Sequence, residues 1–166
     1  MSPTTRRTFA SRIAGLFTAV GVASLMGDSA GAATKSGAVQ KLDYEGKPAA
    51  ATALFTPVIV HDGVLYVSGQ GAHSREPNAN IPADIGTHTR KVMDNVKTLV
   101  EAGGGTMESI LQLNVFLANI GDYAGMNDVY KTYFPNGGPT RTTVAVAALP
   151  GNSLVEINCV AAVVRK

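Results

Sequence analysis

An arginine and a glutamate lie near the end of the chain among small and apolar neighbours. They are Arg141 and Glu156, in the stretch PTRTTVAVAALPGNSLVEINCVAAV. An arginine can hold a carboxylate by paired charge-assisted hydrogen bonds, and a carboxylate side chain can accept a proton from water. The two residues could therefore bind an acidic small molecule and activate water against it. The alternative is a cross-strand ion pair, which contributes little to stability when it is exposed.

Other common site chemistries find no support in the sequence. The single cysteine, Cys159, cannot form an intrachain disulfide, and His61, His73 and His88 are too scattered to suggest a metal site. The sequence contains no phosphate-binding loop, no dinucleotide fingerprint and no Gly-x-Ser-x-Gly elbow.

The elements that must position these residues follow from periodicity and turn signals. FTPVIVHDGVLYVSGQ predicts a hairpin that turns at Asp62-Gly63, and a helix begins at Asp84. A short helical turn leads into a strand over residues 107–118, and a second helix follows Asp122. Its predicted apolar positions are Tyr123, Met126, Tyr130 and Phe134. With two final strands, the order β-β-α-β-α-β-β predicts an α+β fold, one sheet with two helices on one face.

Alternation along the last strand predicts which side chains meet the helices. One face is wholly apolar and includes Cys159, which we interpret as a core residue, while Glu156 lies on the other face. The last two strands are predicted to form a hairpin, with Arg141 and Glu156 on the face away from the helices. If its turn centres near Leu149, the two residues are also nearly opposite each other. Because that face also carries apolar residues, we expect it to pack against another copy of the chain.

The N-terminus resembles an export signal. Residues 1–33 have a basic start, an apolar run and the small residues AGAA, and TRRTFA resembles a twin-arginine motif. The apolar run is short for a membrane span, so we predict cleavage after Ala32 or Ala33 rather than a permanent anchor. The expected organisation is a cleaved leader (1–33), an irregular segment (34–50) and one domain (51–166), in a periplasmic or secreted protein.

The charge balance argues against nucleic acid as a partner. The chain has 14 basic and 12 acidic residues, and the predicted leader holds three of the former and one of the latter. The remainder is formally neutral, and it has no basic stripe with interleaved aromatic residues.

Several stretches together resemble the reactive-intermediate (imine/enamine) deaminase family, also called the YjgF or RidA family. They are LYVSGQ, TRKVMDNVKTLVEAGGG, NVFLANIGDYAGMNDVYKTYF, PTRTTVAVAALP and VEINCVAAV. They span nearly all of residues 55–165, in order. The resemblance implies a chorismate-mutase-like homotrimer with clefts between subunits. It also implies cofactor-free hydrolysis of 2-imino or enamine acids, such as 2-aminoacrylate, to 2-oxo acids and ammonia.

The resemblance also implies roles for individual residues. Arg141 matches the substrate-binding arginine, Glu156 the acid that activates water, Asn127 the pocket asparagine and Ser68 the serine at the cleft. The implied catalytic residues are Glu156 and Arg141. The implied substrate-binding residues are Arg141, Asn127, Ser68, Phe55 and Thr143.

Three departures from the family pattern concern substrate selection or activity. Phe55 stands where many members have a tyrosine, and Thr143 where several have a cysteine. The stretch GAHSREPN, with His73, replaces the usual proline-containing segment. A non-catalytic trimer that binds small carboxylates, or a protein-protecting module, is therefore the alternative to a hydrolase. Nuclease or translation-inhibitor activity, also attributed to this family, fits a neutral chain least well.

Overall fold

The computed structural model describes residues 37–73 and 81–164, and the predicted leader lies outside them. The described residues form six strands and two α-helices. In chain order they are β1 (Gln40–Leu42), β2 (Val58–His61), β3 (Val64–Gln70), α1 (Ile85–Ala102), β4 (Ile110–Leu117), α2 (Tyr123–Tyr130), β5 (Thr140–Ala145) and β6 (Val155–Ala162). Single 3-10 turns lie at Met107–Ser109, Ile120–Asp122, Lys131–Tyr133 and Pro150–Asn152.

The strands form one mixed sheet in the order β1-β2-β3-β6-β4-β5. All neighbours are antiparallel except β4 and β5, which are parallel. Alternate residues of the central strands are buried, and they share a single core with α1 and α2. The predicted α+β fold, with two helices on one face of the sheet, is confirmed. The apolar face predicted for the last strand meets the helices, and Cys159 is 3% exposed within it.

The first hairpin has the predicted turn. Asp62 and Gly63 adopt φ values of 48° and 77° between β2 and β3. Positive φ at both central residues is the geometry of a type I′ turn, which matches the twist of the flanking strands.

Helix α1 begins where its capping residue predicts. The Asp84 side chain accepts a hydrogen bond of 2.8 Å from the backbone N–H of Thr87, and the helix ends at Gly103. One face of α1 is buried against the sheet, as its periodicity predicts. Helix α2 is shorter than predicted, because it ends at Tyr130 and the following residues form a 3-10 turn.

The predicted pairing of the last two strands is wrong. Strand β4 lies between β5 and β6, so among the described strands β5 is at the edge of the sheet and pairs with β4 alone. The physical reason is that β4, α2 and β5 form a βαβ unit, whose crossover helix makes the two strands parallel neighbours.

The segment predicted to be irregular contains a strand. Residues 40–42 form β1, which pairs with Val58–Val60 of β2 and extends the sheet at one edge. The fold therefore begins before residue 51. Within the described ranges, no helix is long and apolar enough to cross a membrane.

Candidate active site

Arg141 lies on the helix-covered face of the sheet, contrary to prediction. Its register partner in β4 is Leu113, which is fully buried beneath the helices and is also the partner of Cys159. Paired residues of neighbouring strands point to the same face. Since β5 is the edge strand, the Arg141 side chain reaches the rim of the core beside α2 and is half-buried there.

Helix α2 holds the guanidinium by two hydrogen bonds and two ring contacts. Arg141 Nη1 donates to Asn127 Oδ1 at 2.7 Å, and Nη2 donates to the Tyr123 hydroxyl oxygen at 3.1 Å. The Arg141 Cζ lies 4.6 Å from the centre of the Tyr130 ring and 5.7 Å from that of Tyr123. These distances are typical of cation–π contacts. Arg141 and Asn127, which the resemblance implies separately as substrate-binding residues, thus contact each other within one chain.

The spacing on α2 explains this arrangement. Tyr123, Asn127 and Tyr130 stand at positions i, i+4 and i+7, so they line one side of the helix. The sequence interpretation treated both tyrosines as apolar positions. Tyr123 is in fact 42% exposed, and its hydroxyl contacts Arg141. An asparagine between two tyrosines at helical spacing was the available signal for a polar stripe. We call Arg141, Tyr123, Asn127, Tyr130 and Thr143 the arginine cluster.

The arginine cluster has a positive charge without a partner carboxylate. Arg141 forms no salt bridge within residues 37–73 and 81–164, and its hydrogen-bond acceptors are neutral. Among the described residues, two of its five N–H groups have hydrogen-bond acceptors, so three can donate to a ligand. In the same part of the chain, the Tyr130 hydroxyl and Thr143 Oγ1 are also buried without a hydrogen-bond partner. Burial raises the pKa of Tyr130, an effect that the nearby Arg141 partly offsets.

Glu156 lies on the opposite face of the sheet. It pairs with Phe116 of β4, and its side chain is half-buried. Its carboxylate packs directly over Gly69, where a Cβ atom would collide with it. A β-bulge at Ser68 and Gly69 interrupts the pairing of β3 with β6 at this point.

The bulge is supported by the side chain that follows it. Gln70 is 5% exposed, and its Nε2 donates to Ser68 Oγ at 3.0 Å and to the Gly69 carbonyl oxygen at 3.0 Å. Ser68 is thus the neighbour in the chain of the glycine that the Glu156 carboxylate covers, at one end of β3 and β6. We call Glu156, Ser68, Gly69 and Gln70 the glutamate cluster.

The two clusters do not meet within one subunit. The arginine cluster lies on the helix-covered face at the β5 edge, whereas the glutamate cluster lies on the open face two strands away. Phe55 belongs to neither. It is 57% exposed in the loop before β2, beside Leu54, which is 98% exposed. The predicted cross-strand contact of Arg141 with Glu156 is therefore absent.

The open face is mixed in character. Tyr66 is 48% exposed and Val144 is 42% exposed, while Asn114 Nδ2 donates to Asn158 Oδ1 at 2.9 Å between them in the sheet. This composition agrees with the sequence interpretation that the face is suited to packing against another surface.

Metal binding and thiol chemistry are not supported by the positions of the relevant side chains. No group of histidine, cysteine or acidic side chains in the described part of the chain could hold a metal ion. Burial raises the pKa of the Cys159 thiol to about 12, so a thiolate nucleophile is disfavoured there.

Comparison with known proteins places this geometry in a family. Residues 45–163 match the family described as endoribonuclease L-PSP. Among solved structures, YyfA from Yersinia pestis, a member of the conserved Rid protein family of unknown function, is 33% identical, with a TM-score of 0.67. The match covers 76% of this chain and 100% of that one.

Two structures from E. coli are similar as well. The YjgF gene product is 29% identical with a TM-score of 0.65, over 74% of this chain and 98% of that one. TdcF, solved with bound serine, is 29% identical with a TM-score of 0.66, over 76% of this chain and 100% of that one. These matches confirm both the resemblance and the YjgF-like fold. The chain belongs to the endoribonuclease L-PSP family, which includes YjgF and the Rid proteins.

Proposed function

We propose that the protein hydrolyses 2-imino and enamine acids to 2-oxo acids and ammonia. The observation that carries this proposal is the half-buried guanidinium of Arg141, which has neutral partners and three unused N–H groups within residues 37–73 and 81–164. A cation that has lost much of its water and faces no carboxylate is well suited to binding an anion. The carboxylate of a 2-imino acid is such an anion, and arginine binds it in a bidentate manner.

The glutamate cluster supplies the second requirement of the reaction. Glu156 accepts a proton from water, and the water oxygen attacks the imine carbon to form a carbinolamine. Glu156 passes this proton to the nitrogen, which completes the carbinolamine. The hydroxyl proton of the carbinolamine then moves to the same nitrogen, the C–N bond breaks, and ammonia leaves as the carbonyl of the 2-oxo acid forms. The reaction consumes only water. Because imines are intrinsically reactive, positioning and modest acid–base assistance are sufficient.

The site we propose is shared between subunits. Since Arg141 and Glu156 lie on opposite faces of one sheet, a ligand held by both requires the arginine cluster of one copy and the glutamate cluster of another. The homotrimer implied by the family resemblance provides three such clefts around a ring. The mixed open face, with Tyr66 and Val144 exposed, supports such packing.

The relatives support the class of ligand. TdcF has been solved with bound serine, an amino acid whose carboxylate would suit a guanidinium. The Rid family name of YyfA agrees with a role in small-molecule metabolism. The family description as an endoribonuclease points to RNA instead, but the neutral charge of residues 34–166 does not favour a polyanion.

The test is imine hydrolysis by the chain from Thr34 onward, with and without Arg141. An amino-acid oxidase generates 2-imino acids in the assay, and semicarbazide traps the imine that escapes hydrolysis. We expect wild type to lower the trapped fraction and Arg141→Ala to lose at least about 100-fold in kcat/KM, because a charge-assisted bidentate contact is removed.

The matched control is Arg90→Ala, which removes an exposed arginine from α1 and should leave the rate unchanged. Inert wild type with small, branched and aromatic imines would contradict the proposal. Binding of pyruvate that depends on Arg141 in an otherwise inert protein would identify the alternative, a trimer that binds small carboxylates. The missing hydroxyl at Phe55 is the observation that favours this second function.

The compartment suggests where the imines originate. If residues 1–33 direct export, then oxidases or dehydrogenases acting on amino acids outside the cytoplasm must supply the substrate. Detection of uncleaved, active protein in the cytosol would contradict this part of the proposal.

A further inference from the structure

The imidazole ring of His73 packs against two glycines, Gly71 and Gly151, and occupies the space that a side chain at either position would need. A Cβ atom on Gly71 would lie 2.6 Å from His73 Nε2, and one on Gly151 would lie 2.7 Å from Cε1. Cβ atoms do not approach other atoms so closely, so a side chain at either position would displace the ring. The φ angle of Gly71 is not positive, so its backbone does not itself require glycine. The ring accounts for the absence of a side chain there.

The backbone around His73 is tied to two other elements. The side-chain amide of Asn95 on α1 donates to the Gly71 carbonyl at 3.1 Å and to the His73 carbonyl at 3.2 Å. The N–H of Ala72 donates to Ser153 Oγ at 2.9 Å, and Ser153 is 3% exposed. The ring is exposed, but the segment that carries it is fixed against α1 and the start of β6.

The same segment brings His73 close to the glutamate cluster. The Glu156 carboxylate packs over Gly69, and the His73 ring packs over Gly71. Only Gln70 separates these glycines in the chain, so their Cα atoms are at most about 7 Å apart. The carboxylate and the imidazole therefore pack against the same short segment.

We propose that His73 determines which 2-imino acids the site accepts, an inference that rests on the proposed function. A substrate whose reacting carbon faces a water on Glu156 must direct its own side chain past that carboxylate. The imidazole ring fills this position, supported from behind by Gly71 and Gly151. The site is then shaped for small side chains, such as those of alanine and serine, and excludes branched and aromatic ones.

The experiment compares two imines in wild type and His73→Ala. One is generated from alanine and the other from phenylalanine, each with a suitable amino-acid oxidase and semicarbazide trapping. Removing the ring should raise kcat/KM for the phenylalanine imine about 10-fold and change that for the alanine imine less than about threefold, because a pocket discriminates size by steric exclusion. As His73 is exposed, the variant is expected to fold, which its melting temperature checks.

Two further variants separate ring position from ring identity. Gly71→Ala keeps the imidazole but displaces it, so the ratio of the two kcat/KM values should change. Gly71→Ala combined with His73→Ala removes the clash and should behave as His73→Ala alone. His61→Ala, on β2, is the control and should match wild type for both imines.

The outcomes distinguish the inference from the function on which it rests. A ratio in His73→Ala within about twofold of the wild-type ratio, with activity retained, overturns the role of His73 alone. A wild type that hydrolyses neither imine overturns the proposed function, and the role of His73 with it.

Discussion

At the residue scale, the site depends on how Arg141 is held. Asn127 accepts its shorter hydrogen bond, at 2.7 Å, and Tyr130 supports the guanidinium from one side. These contacts fix the plane of the Arg141 guanidinium without neutralising its charge. The side chain is therefore already ordered before a ligand binds, and binding costs less conformational entropy. The family resemblance predicted Asn127 as a pocket residue, and the structure places it against Arg141. The two tyrosines were missed because aromatic residues on a short amphipathic helix were assumed to be core.

Asn127→Ala should weaken substrate binding more than it slows the chemical step. The variant removes the acceptor that orients Arg141, so we expect KM to rise about 10-fold with kcat changed less than about threefold. Steady-state kinetics with the alanine imine measure both constants.

Asp128→Ala is the control for this prediction. Asp128 is the residue after Asn127 on α2, and its side chain is exposed. Among the described residues, its carboxylate forms a salt bridge with Lys131 alone. An equal rise in KM for both variants would mean that α2 is generally disturbed and that Asn127 has no specific part in holding Arg141.

At the element scale, local signals predicted most elements but not the order of the last strands. The Asp62-Gly63 turn, the Asp84 cap and the alternation along β6 were predicted from short stretches, and each reflects a local steric or burial requirement. Strand order is set by contacts between distant segments. PTRTT and VEINC look like a hairpin, yet α2 carries the chain across so that β5 joins the far side of β4. The β-α-β order in the sequence was the signal for a parallel pair.

The Asp84 cap gives α1 a contribution to stability that depends on pH. Hydrogen bonds from the backbone and side chain of Thr87 lower the pKa of Asp84 from 3.8. A lowered pKa in the folded state stabilises the protein above pH 3.8, and this stabilisation is lost as the pH falls through the folded-state value. Asp84→Ala should therefore melt below wild type at pH 7, with a smaller difference near pH 3.

Thermal melts of both proteins across this pH range measure the effect. Asp128→Ala again serves as the control, since an exposed pair with Lys131 should shift the melting temperature little. A difference between Asp84→Ala and wild type that stays constant down to pH 3 would contradict the capping role of the carboxylate.

At the scale of the whole molecule, the arginine cluster and the glutamate cluster lie on opposite faces of the sheet. The sequence interpretation placed Arg141 and Glu156 on one face because it assumed the wrong strand pairing. The actual register puts Arg141 with Leu113 beneath the helices and Glu156 with Phe116 on the open face. No rearrangement of side chains brings two faces of a sheet together, so joint action of these residues requires a second copy of the chain.

Mixing two inactive variants tests this account most directly. Arg141→Ala and Glu156→Gln are co-expressed with different affinity tags, and the imine-hydrolysis rate of each homo-oligomer and of the mixed oligomers is measured. In a trimer that contains both variants, one of the three shared sites has an intact arginine and an intact glutamate, so the mixed oligomers should regain about a third of wild-type activity. If the mixed oligomers stay as inactive as the single variants although both fold and assemble, the shared site is contradicted.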